Sequence, residues 1–329
     1  MMNYLRLIRF QNLLFVAFVQ ITMLKAVIYP IMQTFGFETT LDNSTLGILI
    51  LATVFIAAGG YVLNDYFDVK IDMINKPEKL IVGIKISKNN VMIYYQLLTG
   101  IGLLLGLTLA YIASSFTLGF IFIVIPGLLW FYSASYKRQF MIGNLVIAFI
   151  VGISVLIVGI TQLAFLEKEF GNLIFETPIP SYFYGWVGGF SLFSFLISWI
   201  REIIKDFEDE VGDREMECRT LAIKWGHKKS KLFINLLVLI TIILLFVVER
   251  VLINFEGTLT LKYIIWGLVL PFIALCYLVY KAKSPTDFHQ ASTLTKFIML
   301  SGVLYSFVFY YLQAKAFDIS IFNLFIIKQ

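Results

Sequence analysis

The chain has 329 residues, of which 59% are hydrophobic, 16% aromatic and 14% charged, and its formal net charge is +5. A soluble domain usually has about 25% charged residues, so this composition excludes an ordinary soluble protein and indicates an integral membrane protein. The small basic excess is typical of membrane proteins with basic cytosolic loops and argues against a nucleic-acid binder. Two histidines are too few for a histidine-rich metal site.

Nine apolar stretches are long enough to cross a membrane, which takes about 20 mostly apolar residues in a helix. In chain order they are 11–33, 45–63, 91–112, 116–134, 143–166, 183–201, 230–253, 260–281 and 293–314. If the N-terminus is cytosolic, 20 lysine and arginine residues, Lys296 among them, lie on the cytosolic side and 5 on the other. Because basic residues favour the cytosolic side, we expect an all-α polytopic bundle of nine transmembrane helices with its N-terminus in the cytosol.

The second span ends in an acidic segment, LNDYFDVKIDMINKPEKL, over residues 63–80. Asp65, Asp68 and Asp72 follow the spacing i, i+3, i+7, which places three carboxylates on one face of a helix. Three like charges this close repel one another. We therefore expect a divalent cation to offset the repulsion.

The sixth span ends in a second acidic segment, WIREIIKDFEDEVGDREMECRTL, over residues 199–221. Asp206, Asp209 and Asp213 repeat the i, i+3, i+7 spacing, each 141 residues after its counterpart. Both trios follow even-numbered spans, so they are predicted to emerge on the same side of the membrane. The chain is predicted to be one domain that contains two halves of about four helices and a ninth helix. These parts are 1–140, 141–290 and 293–314 of a domain spanning 1–329.

Two facing acidic clusters suit a magnesium-bound diphosphate. Mg²⁺ keeps several waters and is typically held by one or two carboxylates plus substrate phosphates, so each cluster is expected to hold about one ion. A single acidic trio is most often a solvated helix face, but two trios at matched positions are not explained in that way. Cationic side chains would complete the diphosphate site. The candidates are Lys76, Lys79, Lys137, Arg138, Arg201, Lys205 and Arg219.

A diphosphate at the mouth of a nine-helix bundle indicates a substrate whose long apolar tail lies between the helices. Metal-assisted departure of diphosphate from an allylic carbon leaves a delocalised cation, which aromatic faces stabilise. The chain has 32 phenylalanines and 17 tyrosines. These are enough to line such a chamber, although most of them are expected to pack within the protein or to face lipid.

Four segments together resemble the UbiA superfamily of intramembrane prenyltransferases. NDYFDVKID followed by NKP is similar to the family's first acidic motif, and KDFEDEVGD followed by RTL is similar to its second. YSASYKRQFMIGN after the fourth span and LIRFQN before the first are similar to the family's basic segment and its Arg-x-x-Asn segment. The resemblance covers residues 7 to about 226. It implies a nine-helix bundle whose central cavity is capped by the two acidic segments.

The resemblance implies a Mg²⁺-dependent prenyltransferase with two ions, a prenyl diphosphate donor and a small lipid or aromatic acceptor, all within a lipid bilayer. The implied metal ligands are Asn64, Asp65, Asp68, Asp72, Asp206, Asp209 and Asp213, of which Asp65, Asp68, Asp206 and Asp209 are expected to be catalytic. The expected diphosphate contacts are Lys76, Lys79, Lys137, Arg138, Lys205 and Arg219. The expected acceptor pocket contains Arg9, Asn12 and Tyr132. As an alternative, Arg9 and Arg201 form structural pairs with nearby acids such as Glu202.

One position departs from the family pattern, in which NKP is often followed by Asp-Arg-Pro. Here Glu78, Lys79 and Leu80 follow. Lys79 keeps the positive charge but lacks the two-pronged geometry with which arginine binds phosphate, so Lys76 is expected to share the diphosphate.

The LIRFQN segment is most similar to the branch of the family that uses geranylgeranylglyceryl phosphate. A glyceryl phosphate hydroxyl is therefore the first acceptor expected. An aromatic acceptor of quinone biosynthesis, a hydroxybenzoate or a dihydroxynaphthoate, is the alternative.

An acidic multi-pass chain with an internal repeat is also typical of ion-coupled transporters, whose sites lie near the middle of the bilayer. Here the acids cluster at the cytosolic ends of spans, and the span interiors hold almost no ionisable groups, which favours an enzyme. A non-catalytic lipid-binding relative is the other alternative. The expected location is a bacterial-type inner or plasma membrane, with the active site facing the cytosol.

Overall fold

The computed structural model describes residues 2–37, 41–252, 255–322 and 324–326. Within those residues nine helices are long and apolar enough to cross a membrane, which confirms the predicted all-α architecture and the number of spans. They are α1 (Phe10–Thr34), α2 (Asn43–Phe67), α3 (Lys88–Ile112), α4 (Phe116–Ala134), α5 (Ile142–Glu176), α6 (Ile179–Glu208), α7 (Leu221–Val251), α8 (Leu259–Lys281) and α9 (Pro285–Phe317).

Several short elements accompany the nine helices. They are the helices Met2–Leu7, Val69–Asn75 and Glu210–Glu215, the 3₁₀ turns Pro77–Lys79 and Tyr136–Arg138, and the paired antiparallel strands Ser320–Ile321 and Phe325–Ile326. Two of the short helices matter most for the site. Val69–Asn75 follows α2, and Glu210–Glu215 follows α6, so each contains part of an acidic segment.

Several helices extend past the apolar stretches that the sequence marks. The sixth apolar stretch is predicted to end at residue 201, but α6 continues to Glu208. The ninth is predicted to begin at residue 293, but α9 already begins at Pro285. A capping box accounts for the start of α9: Asp287 N donates to Ser284 Oγ at 3.3 Å, and Ser284 N donates to Asp287 Oδ2 at 2.9 Å. As a result, Lys296 lies well inside a helix, eleven residues after Pro285.

α2 and α3 pack closely because small residues lie between them. A Cβ on Gly102 would lie 2.9 Å from the backbone nitrogen of Ile56 and 3.0 Å from the carbonyl oxygen of Ala52. Backbone atoms cannot move aside as a flexible side chain can, so only glycine fits there. α5 and α6 also lie against each other, and Ser191 Oγ donates to the carbonyl oxygen of Gly152 at 2.8 Å. These two helix pairs fix the helices that lead into the acidic segments.

A cavity of about 1030 Å³ lies between six of the nine helices. In the described part of the chain its lining comes from α1, α2, α4, α5, α6 and α9, from the segment before α1 and from the segments that follow α2, α4 and α6. Apolar residues such as Phe15, Val19 and Phe122 line its body, and charged residues line it where α2 and α6 end. The cavity therefore suits a ligand with a charged head and an apolar tail.

Candidate active site

Both acidic segments bend at equivalent residues. α2 and α6 each end one residue before the middle aspartate of a trio, Asp68 or Asp209, where ψ is close to zero. Helical hydrogen bonds nevertheless cross both junctions, from Asp72 N to the Asp68 carbonyl oxygen at 2.8 Å and from Asp213 N to the Asp209 carbonyl oxygen at 3.1 Å. Each trio therefore lies on a bent, nearly continuous helix, whereas the spacing alone predicts one straight face.

Asn75 joins the two acidic segments directly. Its Nδ2 donates to the carbonyl oxygen of Asp209 at 3.0 Å, and its Oδ1 accepts from the backbone nitrogen of Gly212 at 2.8 Å. Lys76 adds an ion pair, with 2.6 Å from its Nζ to Asp209 Oδ1. Segments that are more than 130 residues apart in the chain thus meet at the end of one cavity. All six aspartates of the trios line it: Asp65, Asp68, Asp72, Asp206, Asp209 and Asp213.

Gly212→Ala is expected to break the contact that Asn75 makes. A Cβ at residue 212 would lie 2.7 Å from Asn75 Nδ2 and 2.9 Å from Asn75 Oδ1, so the amide must move and both of its hydrogen bonds are lost. Two hydrogen bonds of this kind are worth about 1–3 kcal/mol together. We therefore expect a lower melting temperature for the detergent-solubilised protein.

Gly185→Ala on α6 is the matched control, because no atom lies within 4 Å of the Cβ it would add. This variant is expected to melt at or above the temperature of the wild type, since alanine favours a helix. A Gly212→Ala protein that melts like Gly185→Ala would contradict the role given to Asn75.

Asp68 is the most enclosed aspartate of the first trio. Its side chain is 6% exposed and forms an ion pair with Lys137, and Asn64 Nδ2 donates to its Oδ2 at 2.6 Å. Burial, the largest effect, lowers the pKa of Lys137, but Asp68, Tyr132 and Asp209 together outweigh it, and the net pKa is raised. Lys137 therefore keeps its positive charge at the polar end of the cavity.

The first aspartate of each trio has a different kind of partner. Asp65 Oδ1 lies 2.9 Å from NH2 of Arg9, the residue just before α1. Asp206 accepts a hydrogen bond from Asn144 Nδ2 on α5 at 3.1 Å. The residue before α1 and helix α5 therefore contribute directly to the polar end of the cavity.

Asp72 and Asp213 form no ion pair within the part of the chain that the structure describes. Burial raises the pKa of each carboxyl to about 6, and the nearby carboxylates of Asp68 and Asp209 contribute to the shift. These two groups are less stable in their charged form than an exposed aspartate. A bound cation would reverse that effect.

The residues at this end of the cavity fit Mg²⁺ that is shared with a phosphate group. Among the described residues, no three histidine, cysteine or acidic side chains form a ready-made metal site. Mg²⁺ does not require one, since it is commonly held by one or two carboxylates together with substrate phosphates. Asp72 and Asp213 offer carboxylates without cationic partners, and Asn64 Oδ1 is a buried oxygen without a hydrogen-bond partner.

The cations predicted to contact diphosphate fall into two groups. Four of them line the central cavity: Lys76, Lys79, Lys137 and Lys205. Arg138 and Arg219 instead line a separate cavity of about 590 Å³, together with Lys224. The backbone nitrogen of Arg219 donates to the carbonyl oxygen of Arg138 at 2.9 Å, which holds the two arginines next to each other. Neither arginine is among the residues that line the central cavity with the aspartates.

The three residues predicted for the acceptor pocket, Arg9, Asn12 and Tyr132, all line the central cavity. Arg9 also pairs with Asp65, which corresponds to the alternative prediction of a structural pair. Arg201 likewise pairs with Glu202, at 2.8 Å between NH1 and Oε1.

Sequence reasoning gives no role to several residues that shape the cavity. Asn75 and Asn144 lie inside the acidic and basic motifs, but spacing does not reveal which backbone or side-chain atoms they contact. Lys296 also lines the cavity, and its signal is present in the sequence, because a charged side chain within an apolar stretch is costly and usually has a function. Glu202 lines the cavity too, although the sequence predicts it only as a structural partner of Arg9 or Arg201.

The sequence model described as the UbiA prenyltransferase family matches residues 27–302. The digeranylgeranylglyceryl phosphate synthase of Methanosphaera stadtmanae is 31% identical over 250 residues, which cover 75% of this chain and 81% of that protein.

Two solved structures resemble the chain as well. A structure from work on digeranylgeranylglyceryl phosphate synthase in membranes has a TM-score of 0.62 at 27% identity and covers 93% of this chain and 98% of its own. A UbiA homologue from Archaeoglobus fulgidus, bound to DMAPP and Mg²⁺, shares the fold with a TM-score of 0.54 at 14% identity. That match covers 93% of this chain and 99% of the homologue.

Proposed function

This chain belongs to the UbiA prenyltransferase family, and we propose that it transfers a polyprenyl group from its diphosphate to the hydroxyl of a glyceryl phosphate lipid. One observation carries the proposal: two acidic trios from distant parts of the chain line the charged end of a single cavity with an apolar body. The name of the 31% identical relative, digeranylgeranylglyceryl phosphate synthase, supports the choice of acceptor.

We propose that the donor's diphosphate binds at the acidic end of the cavity. Lys137 and Lys76 are proposed to contact it, because each already contacts an aspartate there, Asp68 or Asp209. Lys79 lines the same end and is exposed, so it is free to approach the diphosphate from the mouth. The prenyl tail would then extend along the apolar body.

Two Mg²⁺ ions are proposed, one for each trio. When bound, Mg²⁺ neutralises charge on the leaving diphosphate. The ligands proposed for the first ion are Asn64, Asp65, Asp68 and Asp72, and those for the second are Asp206, Asp209 and Asp213. Asn144 and Arg9 would orient Asp206 and Asp65 through the contacts described above.

The proposed transfer exchanges one carbon–oxygen bond for another. The allylic C1–O bond of the donor breaks, and its electron pair leaves with the diphosphate. The acceptor hydroxyl oxygen forms the new bond to C1, and the hydroxyl proton passes to water at the mouth of the cavity. Lys137 stabilises the charge that develops on the diphosphate because its ammonium group is fixed beside Asp68 before the reaction begins. An allylic cation is electrophilic enough for a neutral hydroxyl, so the chain needs no strong base.

The body of the cavity is mainly aliphatic, with a few aromatic side chains. The aromatic residues in its lining are Phe15, Tyr61, Phe122 and Tyr132. Aliphatic side chains such as Val19 and Ile125 lie between them. We propose that the aliphatic residues bind the prenyl chain, while Tyr132, near the end of α4, and Tyr61 face the reacting allylic carbon.

The open, charged end of the cavity is proposed to face the cytosol. Both acidic segments lie on the side that receives 20 of the lysine and arginine residues in the sequence-based topology. A prenyl diphosphate would therefore enter with its head in cytosolic water and its tail in the bilayer.

Turnover with purified full-length protein tests this function. Geranylgeranyl diphosphate is supplied with Mg²⁺ and, in separate reactions, with geranylgeranylglyceryl phosphate, a hydroxybenzoate or a dihydroxynaphthoate. Products are identified by mass spectrometry. We expect an ether of the glyceryl phosphate lipid, loss of product when EDTA removes the metal, and recovery when Mg²⁺ is restored.

The other outcomes separate the alternatives. A product with an aromatic acceptor alone would show that the enzyme belongs to quinone biosynthesis and that the proposed acceptor is wrong. Failure to release diphosphate with every acceptor would contradict prenyl transfer and favour a transporter or a non-catalytic lipid-binding protein.

A further inference from the structure

A second group of charges lines the central cavity apart from the aspartate trios. Glu202 on α6 is buried and contacts two cations of the same helix, with 2.8 Å from Oε1 to Arg201 NH1 and 3.0 Å from Oε2 to Lys205 Nζ. Lys296 on α9 lines the same cavity. The group therefore combines side chains from two helices that pack against each other.

Lys296 is the member of this group that has no ion-pair partner among the residues the structure describes. No carboxylate lies within ion-pair distance of its ammonium group among the described residues, and its side chain is exposed on α9. Because Lys296 also lines the cavity, its ammonium group is free to contact a ligand there.

The charges of the group leave a positive excess. Arg201, Lys205 and Lys296 contribute three positive charges and Glu202 one negative charge, which leaves +2. None of the three cations forms an ion pair with an aspartate of either trio. A doubly charged anion would balance this positive excess.

We propose that Lys296, Arg201 and Lys205 bind the phosphate group of the acceptor and so select acceptors that are phosphate monoesters. This inference rests on the proposed prenyl transfer to a glyceryl phosphate lipid. A phosphate monoester has a charge of about −1.5 to −2 near neutral pH, which matches the excess of +2. Glu202 acts as a positioning residue, because it fixes Arg201 and Lys205 on the cavity side of α6 before the acceptor arrives.

The position of the group also suits two substrates that both have phosphates. Lys205 directly precedes Asp206 in α6, and Arg201 lies one helical turn earlier. A phosphate held by these cations would therefore lie next to the acidic end, where the donor's diphosphate is proposed to bind. Lys205, which the sequence predicts as a diphosphate contact, is assigned to the acceptor phosphate in this proposal. The cations would also screen the repulsion between the acceptor phosphate and the diphosphate. An aromatic acceptor with one carboxylate would leave part of the positive excess unneutralised.

Two acceptors that differ only in the phosphate test this assignment. The donor is geranylgeranyl diphosphate, and the acceptors are geranylgeranylglyceryl phosphate and geranylgeranylglycerol, which has a hydroxyl in place of the phosphate. In Lys296→Met, we expect the KM for the phosphate acceptor to rise about ten- to a hundredfold, since a hydrogen bond to a charged group is worth about 1.5–3 kcal/mol. The KM for the donor and kcat/KM for the alcohol should stay as in the wild type, and Lys296→Arg should recover most of the affinity.

Lys283→Met is the matched control, because Lys283 is exposed between α8 and α9 and does not line the cavity. An unchanged KM for the phosphate acceptor in Lys296→Met, or an equal loss with both acceptors, would overturn this assignment while leaving the proposed function intact. If the wild type alkylates neither lipid, the proposed acceptor class fails and the assignment fails with it.

Discussion

An Asp68→Asn enzyme is expected to lose kcat/KM for prenyl transfer by about a hundred- to a thousandfold at saturating Mg²⁺. Asp68 is 6% exposed and accepts from both Lys137 and Asn64, so it is central to the first trio. Asparagine keeps the size of the side chain but removes its charge. The variant therefore loses a proposed Mg²⁺ ligand and leaves Lys137 without the carboxylate that it contacts.

The matched control for this change lies at the opposite end of the same helix. Asp42 caps the start of α2, where its Oδ1 accepts from Thr45 N at 2.7 Å. Asparagine caps helices about as well as aspartate, so Asp42→Asn should keep the activity and melting temperature of the wild type. Both variants make the same chemical change in α2, and only one makes it in the cavity.

Two measurements separate a lost metal ligand from a damaged fold. The melting temperature reports the fold, and the Mg²⁺ concentration that gives half-maximal activity reports the metal. We expect Asp68→Asn to need more Mg²⁺ than the wild type and to stay far below wild-type activity when Mg²⁺ saturates. If Asp68→Asn turned over normally at saturating Mg²⁺, Asp68 would have no role as a ligand.

The sequence predicts the helices better than it predicts how they end. Hydropathy identifies every span because crossing a membrane demands a long apolar run, and the structure confirms nine of them within its described residues. It does not find the polar turns beyond that run, where capping decides the boundary. α6 continues through such polar residues to Glu208, so that Asp206 belongs to the helix itself.

The spacing of the aspartates predicts their convergence but not their partners. An i, i+3, i+7 pattern in two places indicates two acidic helix faces, and both trios do line one cavity. Nothing in the pattern indicates that Asn75 connects the segments or that Arg9 pairs with Asp65. Those contacts depend on how helices distant in sequence pack together, which one sequence does not encode in any local pattern.

Lys137 and Arg138 illustrate the same limit at adjacent positions. Both are candidates for the diphosphate, because each is a cation after the fourth span. The 3₁₀ turn over Tyr136–Arg138 directs their side chains to different cavities. The direction of a side chain in a short turn is set by packing: a Cβ on Gly143 would lie 2.9 Å from Lys137 Cα, which shows how closely the turn lies on α5.

Lys137→Met is expected to lower kcat/KM for the prenyl diphosphate about a hundredfold or more, because electrostatic stabilisation of a leaving group is commonly worth about 10²–10³ in rate. The side chain of Lys137 is 24% exposed and contacts Asp68, the most enclosed acid of the first trio. Methionine keeps most of the volume and removes the charge. Lys137→Arg should retain more activity, since the charge remains although the guanidinium is larger.

Arg138→Met is the matched control for Lys137→Met. It removes the positive charge of the next residue, which lines the other cavity. We expect less than about a threefold change in kcat/KM for this variant, since surface charges away from a site have small effects. The double variant Asp68→Asn/Lys137→Met should melt closer to the wild type than either single variant, because it leaves neither member of the buried pair as an uncompensated charge. It should nevertheless stay inactive. Equal losses in Lys137→Met and Arg138→Met would mean that the two cations act alike and that the assignment of Lys137 to the diphosphate is wrong.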